Sequence, residues 1–321
     1  MTQQLPSIAF LFPGQGSQAA GMGKELAATY PVARQVFEEA DEALGYKLSE
    51  LCFEGPDDQL RLTEITQPAI LTVSVAAFRV LESSGILPGF VAGHSLGEYS
   101  AHVAAGTIEF ADAVRAVRNR GKYMQKAVPV GEGAMAAILA LSLESIEAAC
   151  KQASEGLVCQ PANVNSPGQI VISGAKPAVE RAAELCKQQG AKRAIMLPVS
   201  APFHCALLQP AQDLMSGDLL ALNFHPPKIP VMCNVDAKPV TTAEASRDAL
   251  VRQVTGTVQW ERSIRNLIEA GVELFVEVGP GKVLTALMRQ IDRSRTAMNV
   301  EDEASLQKLK NHLASASPKP D

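Results

Sequence analysis

The stretch FVAGHSLGEYSAHVAAG, residues 90–106, most constrains what this chain can fold into. A short apolar run, Phe90–Gly93, meets a tight turn, and a helical pattern follows over Glu98–Ala105. Gly93-His94-Ser95-Leu96-Gly97 is a G-x-S-x-G sequence in the strand–turn–helix context that a nucleophile elbow demands. Such a turn lifts Ser95 out of a sheet. The strand and helix backbones then pass close together, so small residues such as Gly93 and Gly97 suit the flanks. A helix start also leaves free backbone N–H groups beside the serine, ready for an oxyanion. The five letters alone are a loose pattern, and a chance Gly-Ser-Gly loop would carry them equally well.

The rest of the chain supplies the sheet that such an elbow needs. Ile8–Phe12 reads as a strand, and Gly23–Leu44 as a helix that Pro31 kinks or splits. Gln67–Ser83 reads as an apolar helix with Pro68 near its start, and Phe110–Ala127 as a further helix. Strands at Ile229–Asn234 and Leu274–Glu277 and a last helix with a frayed tail over Ala304–Asp321 complete the pattern. Short apolar runs alternating with amphipathic segments imply parallel strands with helical crossovers.

Residues 129–200 depart from that rhythm. GAMAAILAL, GLVCQPANV, GQIVISG and AKRAIMLPV read as strands, with NSPG as the turn between the middle two. SLESIEAACKQA reads as a helix capped by Ser142, and KPAVERAAELCKQQG as a helix closing on Gly190. The order βαββαβ is that of a ferredoxin-like unit. The expectation is an α/β-hydrolase-like core over 1–128 and 201–321, mainly parallel, with a ferredoxin-like insert at 129–200.

A nucleophilic serine needs a base. Of the five histidines, His94 sits on the tight turn and is expected to point away, and His102 reads as a packing or surface residue inside a helix. His225 lies in a Pro-rich link and His312 in the tail. His204 follows the last strand of the insert and precedes an apolar helix, a place where catalytic groups gather in α/β folds. It is the best of the five by a narrow margin. Near the N-terminus, Gly14, Gly16 and Ala19 of FPGQGSQAA fit the relaxed dinucleotide fingerprint. That fingerprint needs a second strand ending in an acid about 20 residues on. Glu38 and Glu39 stand at that distance but inside a helical pattern, so the phosphate reading fails.

Seven blocks together carry a resemblance: FPGQGSQ, GHSLGEYSA, RGKYMQ, NSPGQ, SAPFHC, VQW and EVGPGKVL. In this order, and spread from residue 12 to about 290, they resemble the malonyl-CoA:acyl carrier protein transacylases of type II fatty acid synthesis. Polyketide synthase acyltransferase domains share them more loosely. The resemblance implies that Ser95 is the nucleophile and His204 the general base and acid. It implies that Gln15 and Leu96 give backbone N–H groups to the oxyanion hole. It also implies that Arg120 holds the malonyl carboxylate and that the main-chain carbonyl of Gln253 orients the histidine. Position alone does not choose Arg120 over Arg115, Arg118 or Lys122; Arg115 and Arg118 read as a solvated helix face. An arginine suits the task because its planar fork binds a carboxylate through two parallel hydrogen bonds. Thr255-Gly256-Thr257 stands where the family has a bulkier stretch, and a looser loop is expected there. Phe203, before the histidine, resembles the residue of malonyl-selective acyltransferases and leaves little room for a methyl branch.

The implied activity is two-step acyl transfer from malonyl-CoA to the phosphopantetheine thiol of acyl carrier protein, with no cofactor and no metal. Acyl carrier proteins are acidic, so a basic patch near the site is expected, with Lys122, Lys192 and Arg193 as contributors. A net charge of −5 over 321 residues argues against a nucleic-acid binder driven by overall charge. No basic start with an apolar core and no bilayer-length apolar run is evident, and the six scattered cysteines form no C-x-x-C pair. The expectation is a cytoplasmic monomer with no membrane partner. A serine esterase or thioesterase, an acyltransferase serving a polyketide synthase, the transacylase part of a malonate decarboxylase and a degraded scaffold stay open.

Overall fold

Strand Ile8–Phe12 is buried at every residue, because helices cover both faces of a parallel sheet. The computed structural model describes residues 7–199 and 201–316. Its strands are β1 (Ile8–Phe12), β2 (Phe90–Gly93), β3 (Gly133–Leu139), β4 (Cys159–Ser166), β5 (Gln169–Ala175), β6 (Arg193–Met196), β7 (Val231–Met232), β8 (Pro239–Val240), β9 (Leu274–Val278) and β10 (Thr296–Val300). They form two sheets. The larger runs β10-β9-β1-β2-β7-β8 and is parallel except at the β7–β8 edge.

The register of three neighbouring strands positions the site. Phe12 lies opposite Gly93, and Ala92 opposite Met232. The loops that leave β1, β2 and β7 therefore emerge side by side at the carboxyl ends of parallel strands, where open α/β sheets bind ligands. The smaller sheet runs β4-β5-β3-β6, wholly antiparallel, with helices Leu143–Ser154 and Lys176–Gln188 between its strands. This is the ferredoxin-like arrangement expected from βαββαβ. Ser142 caps its first helix, accepting the Ser145 N–H at 3.2 Å. Ser200, at the expected boundary, and the tail 317–321 lie outside the described residues.

Several expectations need correction. Strands β8 and β10 were not foreseen, and β7 is only Val231–Met232 rather than Ile229–Asn234. The chain leaves the sheet after Met232 through a turn in which Cys233 N–H donates to the Lys238 carbonyl at 3.0 Å. The apolar helix begins at Thr63 rather than Gln67, which puts Pro68 inside it. Pro68 lacks the N–H that would have met the Glu64 carbonyl, a loss confined to one early rung. This helix, Thr63–Ser83, is also long and apolar enough to cross a bilayer, against expectation, but 83% of its apolar window is buried inside the structure. As expected, Pro31 splits the earlier helix into Lys24–Thr29 and Pro31–Leu44.

Nor is the segment at Thr255-Gly256-Thr257 loose. Thr255 Oγ1 donates to Gln212 Oε1 at 2.6 Å, and Thr257 Oγ1 to the Pro161 carbonyl at 2.7 Å. Val258 exchanges backbone hydrogen bonds with Ala162 and Val164 at 2.8 and 2.9 Å, which ties the segment to β4. Gly256 packs so tightly that a Cβ there would lie 2.6 Å from Val235 Cγ1. Glycine permits contact where a bulkier residue would fill space.

At the elbow, Cβ atoms on Gly93 and Gly97 would overlap the Gly97 carbonyl and the Phe12 carbonyl oxygen respectively. Neither partner is a flexible side chain, so no local adjustment relieves the overlap. Gly97→Ala is expected to cost about 3 kcal/mol or more of folding stability, read from the midpoint of denaturant unfolding.

Candidate active site

Ser95 has φ +51°, in the left-handed region that a tight strand–helix turn imposes. Its Oγ lies 2.7 Å from His204 Nε2. His204, also left-handed at φ +57°, is held from behind: Nδ1–H donates to the Gln253 main-chain carbonyl at 2.9 Å. That bond leaves Nε2 as the acceptor for the Ser95 hydroxyl proton. Gln253 is the C-cap of helix Ala243–Arg252, so its carbonyl is one that a helix end leaves free of intrahelical partners. Among the described residues no carboxylate takes the third place beside His204. Burial first, and then the charge of Arg120, push His204 down to about 3, so it stays neutral, with Nε2 free to accept a proton, through the physiological range.

The backbone amides near Ser95 are almost all engaged. Ser95 N–H donates to Asn234 Oδ1 at 2.7 Å, and the same side chain donates from Nδ2 to the Gly93 carbonyl at 2.7 Å. Gly97, Glu98 and Tyr99 N–H donate to the His94, Ser95 and Leu96 carbonyls. Leu96 N–H has no acceptor among the described residues. In the neighbouring loop, Gly16 N–H donates to Gln18 Oε1 at 2.8 Å, and Gln15 N–H likewise has no acceptor there. Gly14 lets that loop press against the elbow, since a Cβ there would lie 2.5 Å from the His94 carbonyl oxygen. Gln15, Leu96, Ser95 and His204 all border one cavity of about 620 Å³.

Arg120 is 1% exposed and enters the same cavity. Its Nη1 donates to Gln67 Oε1 at 2.9 Å, and its Nη2 to Gln253 Oε1 at 2.8 Å and to Ser95 Oγ at 3.2 Å. Its Nε–H has no partner, and no carboxylate forms an ion pair with it among the described residues. All three acceptors are neutral. A buried guanidinium with no carboxylate in direct contact keeps part of its desolvation cost, which an anionic ligand would offset.

The other arginines and histidines weighed for these roles are engaged differently. Arg115 is exposed and pairs with Asp112 at 2.7 Å, as a solvated face would. Arg118 instead rests on the Tyr46 ring, 4.9 Å from its centroid. His94 borders the cavity, but its Nε2 is engaged with Asn165 Oδ1 at 2.8 Å and its ring lies 5.4 Å from that of Trp260. His102 is fully buried, and His225 N–H donates to the Thr107 carbonyl.

The remaining walls come from the smaller sheet and the segment after it: Met135, Asn163, Leu197, Pro198, Val199 and Phe203. Sequence reading missed Gln67, Glu98 and Asn234, which hold the reacting groups, and Arg61, an exposed cation on the cavity wall. Asn234 carried a usable signal, since it directly follows the apolar run of a parallel strand.

The acyl transferase domain family matches residues 9–317 of this chain. The chain belongs to that family. Among its relatives, the malonyl CoA-acyl carrier protein transacylase of Escherichia coli K12 is 52% identical over 303 residues, covering 94% of this chain and 98% of that protein. The transacylase of the same name from Bacillus subtilis is 49% identical over 311 residues, covering 95% and 98%. Among solved structures, an acyl carrier protein S-malonyltransferase from Vibrio cholerae superposes with TM-score 0.93 at 50% identity, covering 94% of this chain and 99% of its own. A malonyl-transacylase in complex with a type II PKS acyl-carrier protein superposes with TM-score 0.93 at 50% identity, covering 95% and 99%. The whole chain, both sheets included, is therefore built as an acyl transferase.

In this acyl transferase a base of ordinary histidine basicity would lose half its neutral form near pH 6.5. With His204 held well below that, the loading rate at saturating acyl donor is expected to stay within about twofold from pH 8 to pH 6. Rapid-quench single-turnover kinetics across that range measure it.

Proposed function

We propose that this protein transfers the malonyl group from malonyl-CoA to the phosphopantetheine thiol of acyl carrier protein, for fatty acid synthesis, through a malonyl ester of Ser95. The observation that carries the reading is a buried guanidinium without a carboxylate partner, 3.2 Å from the hydroxyl that a neutral histidine holds at 2.7 Å. An esterase of neutral acyl chains has no use for that charge. The names of the half-identical relatives point the same way.

The mechanism follows from the geometry. His204 Nε2 takes the Ser95 proton as Oγ attacks the thioester carbonyl. The Gln253 carbonyl holds the imidazolium through Nδ1–H and, sitting at a helix C-terminus, favours its positive charge. Gln15 and Leu96 N–H receive the oxyanion, each such donor contributing about 3–4 kcal/mol to lowering the barrier. Arg120 turns its unused donors to the malonyl carboxylate, which aligns the thioester with Ser95. CoA leaves as its thiol with the proton from His204. The carrier thiol then attacks the ester by the reverse sequence, in ping-pong order. Phe203, on the cavity wall, disfavours a methyl branch. Arg61, exposed on the cavity wall, supplies positive charge toward an acidic carrier; Lys192 and Arg193 are exposed, and Lys122 lies 3.9 Å from Glu64. The six cysteines are all free thiols, as the reducing cytoplasm would leave them.

A second reading keeps the chemistry and changes the pathway. The similar malonyl-transacylase bound to a type II PKS carrier makes a polyketide carrier a reasonable acceptor. Transfer rates to fatty-acid and polyketide carriers, measured side by side, separate the two.

Mixing with malonyl-CoA is expected to add one malonyl group to the Ser95 peptide, seen by mass spectrometry. Loss of that adduct to water as fast as to carrier would favour a hydrolase. Arg120→Ala is expected to lower kcat/KM for malonyl-CoA by ~10²–10³-fold while leaving some loading by acetyl-CoA. Survival of malonyl transfer in that variant would overturn the carboxylate assignment.

A further inference from the structure

Glu98, one residue past the glycine flank of the elbow, ends in a buried carboxyl that does not border the cavity. Its Oε2 accepts from Gln253 Nε2 at 2.6 Å and from the Asn234 N–H at 3.1 Å. Its Oε1 is buried without a partner. The Gln253 carboxamide joins this carboxyl to Arg120, accepting Nη2 at its Oε1, and also donates to the Ser95 carbonyl at 2.8 Å. Guanidinium, carboxamide and carboxyl thus stand in series, each side chain 1% exposed or less. Glu98 is the counter-charge of Arg120 at one carboxamide's remove.

We propose that Glu98 takes up a proton from solvent when the malonyl carboxylate reaches Arg120, so that the buried site holds one negative charge against one guanidinium both empty and loaded. This rests on the reading of Arg120 as the malonyl clamp. The proton adds to Oε1, which has no hydrogen bond to surrender, while Oε2 keeps both of its bonds in either state. No other bond changes. The proton that His204 takes from Ser95 leaves on the CoA thiol, so acyl transfer itself is proton-neutral.

The surroundings leave Glu98 as the group that responds. Burial raises its carboxyl to about 7, against the pull of Gln253, the Asn234 N–H, Arg120 and Arg252. Arg252 is already paired with Asp236 and Asp248. Tyr99 on the same helix and Cys233 after β7 are both pushed up by burial and stay neutral. His94 and His204 are both lowered by burial and stay neutral as well. A second negative charge on Arg120 raises Glu98 further. Uptake is therefore largest just above pH 7 and fades below pH 6, where the empty site already holds the proton.

Calorimetry of malonyl-CoA loading at pH 7.5, in buffers of different ionisation enthalpy, tests this on the full chain. Wild type is expected to take up as much as about one proton per malonyl group, and none with acetyl-CoA. Glu98→Gln, whose carboxamide oxygen can accept both hydrogen bonds, is expected to take up none with malonyl-CoA. The KM for malonyl-CoA, relative to acetyl-CoA, should rise by up to about tenfold from pH 7 to pH 8 in wild type and stay flat in the variant. Infrared difference spectra of wild type labelled with ¹³C-glutamate give a readout that needs no variant: loading should create a protonated-carboxyl band that shifts with the label. Equal uptake in Glu98→Gln, no uptake in wild type, or no labelled band would each overturn the proposal. Loading without uptake leaves the transacylase reading standing; failure of malonyl-CoA to load Ser95 removes both.

Discussion

Three backbones cross at one point with no side chain between them, and the site depends on that crossing. The end of β1, the end of β2 and the start of helix Gly97–Ala104 come together at Gly14, Gly93 and Gly97. The contact forces Ser95 into its left-handed turn, leaves the Leu96 N–H without an acceptor and brings the Gln15 N–H to the same cavity. The Ser95 hydroxyl and the free Gln15 and Leu96 N–H groups are thus fixed by main-chain packing, which cannot relax as a side chain can. Such rigidity is what preorganised electrostatic stabilisation requires.

Around this crossing, polar side chains form one buried network. Asn234 ties the end of β7 to β2 and to Ser95. Gln253 reaches Ser95, Glu98 and Arg120 with its side chain while its carbonyl holds His204. A free helix-end carbonyl replaces the triad carboxylate, and this has an electrostatic consequence. A carboxylate beside His204 would also lie near Arg120 and compete for it. With a neutral carbonyl in that place, the guanidinium keeps its charge available to a ligand. The same choice leaves Glu98, behind Gln253, as the acid that answers Arg120.

Much of this was legible in the chain. Apolar runs followed by glycine turns marked β1 and β2, because buried parallel strands must be continuous in hydrophobicity. The order βαββαβ marked the small sheet. The elbow was legible because close approach leaves a glycine signature. Strands β7, β8 and β10 were less so, since two-residue strands have no periodicity and β10 is half-exposed. The start of helix Thr63–Ser83 was misjudged because Pro68 suggested a first turn, whereas buried packing tolerates one missing rung. The loop at Thr255-Gly256-Thr257 was expected to be loose, yet small residues there allow close contacts with Gln212, Pro161 and Val235.

The turn at Ser95 and the class of fold were readable from local rules in the chain, namely glycine at crossings, apolar continuity in strands and capping at helix starts, whereas the role expected of Ser95 came from seven blocks taken together. The distances, the burial and the supporting side chains around that serine, Gln67, Glu98 and Asn234 among them, came from the tertiary structure. Residues 67, 120, 204, 234 and 253 are far apart along the chain, and hydrogen bonds between distant segments leave no periodic trace in sequence. For the same reason position alone did not single out one arginine among Arg115, Arg118 and Arg120; the resemblance pointed to Arg120, and their places in space separate them. Arg115 meets solvent, Arg118 meets Tyr46, and Arg120 alone is carried by its turn of the helix into the cavity beside Ser95.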